Sequence, residues 1–413
     1  MGNCQRLFCV SFRAFLEHLC KSAKFEEMNE KNQQGQLRLL FLSDGLAPFV
    51  TGGMQQHSAL LVKYMAPLVG HITLMHCGPA NGQVPGLDEV LNEIGNPSNV
   101  KVVGIPFLDR GKLPGHYLRA SRRLSREYLN AAGDLSAYDA VYAQGLMGDA
   151  FLRKHPKVMV NLHGLEMFQK GFSIREKFAK ALMRPSFQKQ IRKAWRLVSL
   201  GGKLTDILIA NGVAEDGIAI IPNGIESKWI LNEDQLNARI KRRRGDRVRF
   251  VMVGRNEFRK GLHVLQAAMK DMSESIELHM IGDWATWDVG IHNVVHHGVI
   301  RDKKALMAIL DDCDVLLLPS LSEGMPTVIL EAAARGLPSI AADVGAVAEI
   351  VSRHSTFVPG DEFGLQMAIQ NAGNCRIECC KKQFTFTEIA RVTVLNIGGS
   401  LQSLKTLKTP QNG

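Results

Sequence analysis

The stretch Val315-Leu316-Leu317-Leu318-Pro319-Ser320-Leu321-Ser322-Glu323-Gly324-Met325-Pro326-Thr327-Val328-Ile329-Leu330-Glu331-Ala332 decides the fold. An apolar run reads as a strand, and its carboxyl end leads through a short loop into a helix. In open α/β sheets that junction is where ligands bind. Pro326 suits the first helical turn, where its missing N–H costs nothing, and the amides of Thr327 and Val328 are then unpaired donors aimed outward. Such a helix end attracts phosphate. Glu323 falls in the loop and Glu331 inside the helix, so one carboxylate can face a reacting group while the other grips the ligand further along. Carboxylates accept hydrogen bonds from hydroxyls, which makes sugar and ribose hydroxyls apt partners.

A second strand-to-helix junction lies upstream. Val248 to Val253 runs into Gly254-Arg255-Asn256-Glu257-Phe258-Arg259-Lys260-Gly261, and a helix follows from Leu262. Arg255 and Lys260 bracket this turn, where two cations can clamp a diphosphate, Arg by a fork and Lys as a point charge.

Outward from these two junctions, short apolar runs alternate with amphipathic stretches of helical length, the pattern of a parallel sheet covered by helices. One series of strands is expected at Leu37 to Leu42, Ile72 to His76, Val100 to Val103, Ala140 to Ala143, Val158 to Leu162, Leu197 to Leu200 and Ala219 to Ile221. The other comprises Val248 to Val253, Ile276 to Ile281, Val294 to His296, Val315 to Leu318 and Ser339 to Ala341. Between them, Asn223 to Arg247 is polar and charged and reads as a linker, with Lys241-Arg242-Arg243-Arg244 as a solvated face. That basic run has no interleaved aromatics and no nucleic-acid module around it, so no nucleic-acid partner is expected.

The chain has 413 residues, 46% hydrophobic and 22% charged, with 50 Lys and Arg against 40 Asp and Glu, a net charge of +10. Disordered and collagen-like classes are excluded, and the length fits two to three domains at about 100–200 residues each. No stretch approaches the roughly 18 apolar residues of a membrane span. Arg13, Glu17 and His18 interrupt the apolar residues near the N-terminus, so a signal peptide is not expected and a cytoplasmic location is. The eight cysteines lack a disulfide-framework spacing and read as reduced thiols, the Cys375, Cys379 and Cys380 cluster included.

These motifs, together with Ile221-Pro222-Asn223-Gly224-Ile225, the loop Thr51-Gly52-Gly53 before a helix carrying His57, and Asn161-Leu162-His163-Gly164-Leu165-Glu166, resemble the retaining glycosyltransferases of family 4 (glycosyl transferases group 1). The resemblance runs from about Leu37 to Leu395. It implies an α/β chain of GT-B fold, with two Rossmann-like parallel-sheet domains facing a central cleft. Residues 1–36 would be an N-terminal appendage, 37–230 the acceptor-side domain, 231–383 the nucleotide-sugar domain, 384–397 a closing helix returning to the first domain, and 398–413 a polar tail.

The resemblance also implies roles. Arg255 and Lys260 would stabilise the donor's diphosphate as charge develops on it. Glu323 would face the donor sugar and Glu331 the ribose, with Gly324, Met325, Pro326, Thr327 and Val328 lining the donor site. His163 would sit near the anomeric carbon, and Gly52 and Gly53 would let backbone approach the ligand without side-chain obstruction. His57 reads instead as a helix-face residue. The expected co-substrate is a nucleotide-sugar of UDP or GDP type, with no cofactor or metal. The acceptor would be a glycan or a lipid-linked envelope precursor.

Other readings stay open. Asp312-Cys313-Asp314 formally supplies an Asp-x-Asp metal motif, although its place between a helix and a strand suits a turn. The segment after Val351 is shorter than the family pattern, which leaves the returning helix at Phe384 to Ala390 in question and motivates a binding protein without catalysis. A sugar-nucleotide epimerase of the same architecture is another alternative. The basic, partly apolar stretch Arg175 to Arg196 either packs by its apolar face on the sheet or rests on an anionic membrane surface.

Overall fold

The computed structural model describes residues 37–80, 82–108, 116–241, 247–270, 272, 276–284, 293–372 and 384–398. The N-terminal appendage, the polar tail after Gly398, the Cys375, Cys379 and Cys380 cluster and most of the Lys241 to Arg244 run lie outside them.

Two all-parallel sheets carry the chain. The first contains β1 (Arg38–Leu42), β2 (His71–Cys77), β3 (Val100–Ile105), β4 (Ala140–Gln144), β5 (Val158–Asn161), β6 (Arg196–Ser199) and β7 (Ile218–Ile220), in the order β3-β2-β1-β4-β5-β6-β7. The second contains β8 (Val248–Val253), β9 (Ile276–Ile281), β10 (Val294–Gly298), β11 (Val315–Leu318), β12 (Ser339–Ala342) and β13 (Thr356–Phe357), in the order β10-β9-β8-β11-β12-β13. Central strands such as β1 and β11 are buried almost throughout because helices cover both faces of each sheet, which is why they read as unbroken apolar runs. The short last strand explains the compressed segment after Val351.

Strand order reverses once in each sheet, between β1 and β4 and between β8 and β11. At such a switch point the two neighbouring loops leave in opposite directions and open a crevice at the strands' carboxyl ends. The loops after β8 and β11 are the two junctions singled out in the sequence.

The helices that matter for the site are α1 (Gly53–Met65), α2 (Leu87–Glu93), α3 (His116–Ala131), α4 (Ile174–Lys193), α5 (Lys203–Ala210), α6 (Glu233–Lys241), α7 (Leu262–Met269), α8 (Lys303–Asp312), α9 (Thr327–Ala334), α10 (Glu362–Gln370) and α11 (Phe386–Ile397). The charged stretch between the sheets is less free than its composition suggests. It contains α6, and Arg239 on that helix donates to the carbonyls of Gly336, Asp311, Leu310 and Cys313, which docks the helix on the second domain.

Helix α11 returns to the first domain. The Ile225 N–H donates to the Phe384 carbonyl at 2.8 Å and the Phe386 N–H donates back to Ile225 at 2.9 Å. Phe386, Ile389, Val392, Val394 and Ile397 then join Leu61, Val62 and Met65 of α1 in one buried cluster. Arg196 closes the far end by donating to the Asn396 carbonyl at 2.8 Å. Truncating a buried phenylalanine costs about 3–5 kcal/mol. Phe386→Ala is therefore expected to lower unfolding stability by about 3 kcal/mol, read from the midpoint of urea denaturation. A loss under about 1 kcal/mol would mean that the returning helix is not part of the first domain's core.

Candidate active site

The loop after β8 ends in a short 3-10 turn at Phe258–Lys260, closed by Gly261 with φ +72°. The loop after β11 crosses directly over it, and the Leu321 N–H donates to the Arg259 carbonyl at 2.7 Å. A side chain at Gly261 would run into the carbonyl of Pro319, so only glycine permits this crossing.

The crossing brings Lys260 onto Glu323, with Nζ to Oε1 at 2.6 Å. Glu323 is 6% exposed, and Arg259 adds a second cation, Nη1 to Oε2 at 3.6 Å. Arg259 also binds Glu257 at 2.6 Å and reaches Glu166 of the first domain at 3.8 Å. Arg255 stands apart. Its side chain is 65% exposed and pairs with Glu257 at 2.9 Å, so Glu257 connects the two arginines.

Pro326 is the N-cap of α9, one residue outside the first turn expected for it, and Thr327 is the first helical residue. The amides of Thr327 and Val328 belong to the first turn and have no intrahelical acceptors. Glu331, one turn in, has its carboxyl pushed up to about 7 by burial, partly offset by the charge of Lys303. Met325 is buried at the hinge, where Asn223 donates to its carbonyl at 2.7 Å.

The first domain supplies the opposite wall. Gly52 caps α1, and a Cβ at Gly53 would meet only open space. Gly53, His57, Glu226, Thr327, Glu331 and Phe386 line one pocket that opens to solvent. The loop after β5 carries His163 in the left-handed region, φ +57°, uncommon outside glycine and held by the Asn161 side chain accepting from the His163 N–H at 2.9 Å. The His163 Nε2 lies 2.6 Å from Gln144 Oε1. With that oxygen as acceptor, the ring's proton sits on Nε2. Burial first, and then the neighbouring His57, lowers the His163 pKa to about 3.

The domains meet at this loop. A Cβ on Gly324 would come within 3.0 Å of Gly164 Cα. Gln169 spans the contact, its Nε2 donating to the carbonyls of Gly164 at 2.6 Å and Glu323 at 2.7 Å while its Oε1 accepts from Ser322 at 3.0 Å.

Four residues of this site escaped the sequence reading. Arg259 lies in the same motif as Arg255 and Lys260, and nothing in the sequence around it points to Glu323. Gln144 is a polar side chain at the carboxyl end of β4, where ligands bind, whereas Gln169 lies beyond a 3-10 turn in the loop after β5 and carries no such local signal. His57 is the fourth. It is 4% exposed, stacks edge-on to His163 at 5.6 Å, and neither of its ring nitrogens has a hydrogen-bond partner among the described residues. Burial lowers its pKa to about 4.

The Asp-x-Asp motif lies at the amino-terminal end of β11, the wrong end of the strand for this site. Asp312 pairs with Arg249 at 2.7 Å, and Asp314 accepts the Arg249 backbone N–H at 2.9 Å.

Two parallel sheets facing a cleft, with the strand ends of both converging on it, define a GT-B protein. The fold is shared with the sucrose-phosphate synthase of Thermosynechococcus elongatus, with a TM-score of 0.62 at 16% identity, covering 90% of this chain and 97% of that one. It is shared also with Anabaena HepE, solved in complex with UDP-glucose, with a TM-score of 0.56 at 18% identity over 90% of this chain and 99% of that one. The family model for Glycosyltransferase Family 4 matches residues 51–229, and that for Glycosyl transferases group 1 matches residues 247–372. The chain belongs to this glycosyltransferase family.

Among curated relatives, a putative teichuronic acid biosynthesis glycosyltransferase, TuaC of Bacillus subtilis, is 32% identical over 145 residues, 33% of this chain and 36% of the relative. A glycogen synthase of Mycobacterium tuberculosis is 30% identical over 188 residues, 42% of this chain and 43% of the relative. The matches thus span less than half the length of these relatives.

A neutral imidazole always carries one N–H, and leaving it buried without a partner costs about 1–3 kcal/mol. His57→Phe removes that cost, so the variant is expected to unfold no more easily than the wild type. If the open nitrogen serves a ligand, turnover of a nucleotide-sugar falls about tenfold, the worth of one hydrogen bond. Unfolding and initial-rate measurements on the same variant separate the two roles. Unchanged turnover would assign His57 to packing alone.

Proposed function

We propose that the chain moves a sugar from a nucleotide-sugar of UDP or GDP type to an acceptor hydroxyl, with retention of anomeric configuration and without a bound metal. The observation that carries this reading is the Lys260–Glu323 pair, set at the second sheet's switch point beside the first turn of α9. In the reaction the bond from the anomeric carbon to the diphosphate oxygen breaks, the glycosidic bond forms, and the acceptor's proton passes to the departing diphosphate. The negative charge that develops falls on positive groups of the two junctions: Lys260, Arg255 and the amides of Thr327 and Val328. On this reading Arg255 leaves Glu257 for phosphate, and Arg259 keeps Glu323 in place. Glu323 accepts hydroxyls of the donor sugar, Glu331 those of the ribose, and His163 faces the anomeric carbon. Gly53, with open space before it, admits the ligand's backbone-side approach.

The acceptor on this reading is a glycan or a lipid-linked envelope precursor, taken at the cytoplasmic face of a membrane. Support comes from relatives described as acting in teichuronic acid and colanic acid biosynthesis. Among the described residues no helix is long and apolar enough to cross a membrane.

Lys260→Ala and Glu323→Ala are each expected to lower turnover at least about a hundredfold, with unchanged circular dichroism and with wild-type activity persisting in excess chelator. The assay screens UDP- and GDP-sugars against an acceptor panel. Wild-type rates in both variants would overturn the assignment, and conversion of the donor with no acceptor present would point to an epimerase.

Glu331 gives a second test. Its raised pKa leaves the carboxyl about half protonated near pH 7. Ribose hydroxyls donating to it favour the ionised form, so binding lowers the pKa and releases protons. Calorimetric titration with UDP or GDP at pH 7 should show heats that vary with the ionisation enthalpy of the buffer, and Glu331→Gln should remove most of that variation. A buffer-independent heat for the wild type would place the ribose elsewhere.

A further inference from the structure

The first half of α4 is folded inside out. A helix lying on a domain normally turns its apolar stripe inward. Here most of the inward contacts are polar, with Met183 the apolar exception. Glu176 accepts the Phe172 N–H at 2.8 Å and pairs with Lys180 at 2.5 Å. The Lys180 ammonium donates to the Lys170 carbonyl at 2.8 Å, and Arg184 donates through Nε to the Met167 carbonyl at 2.9 Å. Spaced one turn apart on the other side, Ile174, Phe178 and Leu182 are 87%, 72% and 46% exposed. After Pro185 the ordinary arrangement returns, with Phe187 and Ile191 buried.

Single exposed hydrophobic residues are common, but three large ones in one row are not. The polar contacts already fasten this half-helix, so exposing the row adds nothing to the fold. Arg175 and Lys177 are exposed beside it, and the acid among them, Glu176, is neutralised by Lys180. The surface is therefore an apolar row with positive flanks.

We propose that this row, Ile174, Phe178 and Leu182, seats in the headgroup boundary of an anionic bilayer, with Arg175 and Lys177 on lipid phosphates. A row one helix wide is too small for the roughly 800 Å² per side of a stable protein contact. It has the dimensions and charge of an interfacial helix. The position is informative too. Phe172, two residues before the row, lies 3.0 Å from where a Cβ on Gly360 would stand, and α10, starting two residues beyond Gly360, exposes Phe363 and Met367. Apolar side chains thus project from both domains near one edge of the cleft. The loop that α4 holds carries Gln169, the residue that bridges to Glu323. Docking there would set the cleft mouth at the membrane. This last point rests on the glycosyl-transfer reading, whereas the binding itself does not.

The test is co-sedimentation of the full chain, without donor, with vesicles of phosphatidylcholine alone or with roughly one third phosphatidylglycerol. The wild type should bind the anionic vesicles and release them at high salt. Ile174→Ser with Phe178→Ser and Leu182→Ser should weaken binding about tenfold or more, and so should Arg175→Gln with Lys177→Gln, both with unchanged thermal unfolding midpoints. Binding of the serine variant like the wild type, or no preference of the wild type for anionic vesicles, would overturn the proposal. So would a wild-type dimer in light scattering that the serine variant loses, which would assign the row to a second copy of the chain. Turnover of a soluble donor and acceptor is independent of all three outcomes.

Discussion

Glu323 keeps almost none of its surface in water, and a carboxylate so placed is tolerable only because Lys260 stands 2.6 Å from one oxygen and Arg259 3.6 Å from the other. Such a pair adds little net stability, because desolvation consumes most of the Coulombic gain. What it supplies is position. Its members come from the loops after β8 and β11, the two strands at which the sheet reverses, so the pair joins the two lips of the crevice. The close approach this needs is visible in the backbone: Gly261 faces the Pro319 carbonyl, and Gly345, with φ +54°, is pressed against the carbonyls of Gly324 and Glu323.

The first domain reaches this construction through contacts of a different kind. Gly164 lies against Gly324, Gln169 bridges to the Glu323 carbonyl, and the Gly202 N–H donates to Glu349 at 3.0 Å. Apolar contacts run alongside them: one buried cluster takes in residues of both domains, Leu200 of the first and Leu321 of the second among them. A further connection lies behind the cleft, where Ile225 exchanges hydrogen bonds with Phe384 and Phe386, and α11 sinks into the cluster around α1.

The sheets were legible because strands such as Val315 to Leu318 are buried on both faces, so their apolar runs have no competing explanation. The Lys260 and Glu323 junctions were legible because parallel strands end where ligands bind. Side-chain direction was not. Arg255 and Arg259 sit four residues apart in the same turn, and nothing local reveals that the second reaches Glu323 while the first faces Glu257. His57 looked like a residue of a helix face because its burial depends on Phe386, 329 positions later in the chain, folding back at 5.6 Å. For Arg175 to Arg196 the question was whether the apolar side faces the domain or a membrane. The helix divides at Pro185: beyond it Phe187 and Ile191 are buried on the domain, and before it Ile174, Phe178 and Leu182 face away from the domain.

That division also bears on the net charge. Many of the surplus cations are committed to backbone: Arg239 to four carbonyls, Arg196 to the end of α11, Arg184 and Lys180 to the loop beside the cleft. A guanidinium used as a clamp for carbonyls contributes its hydrogen bonds to the fold and its charge to the field around it. The same residues therefore do two things. They fix loops that would otherwise need a hydrophobic anchor, and so leave Ile174, Phe178 and Leu182 with no structural work on the inside of α4. A basic composition and an exposed apolar row are then one arrangement: the polar side chains hold the domain together from within, and the apolar ones remain available outside.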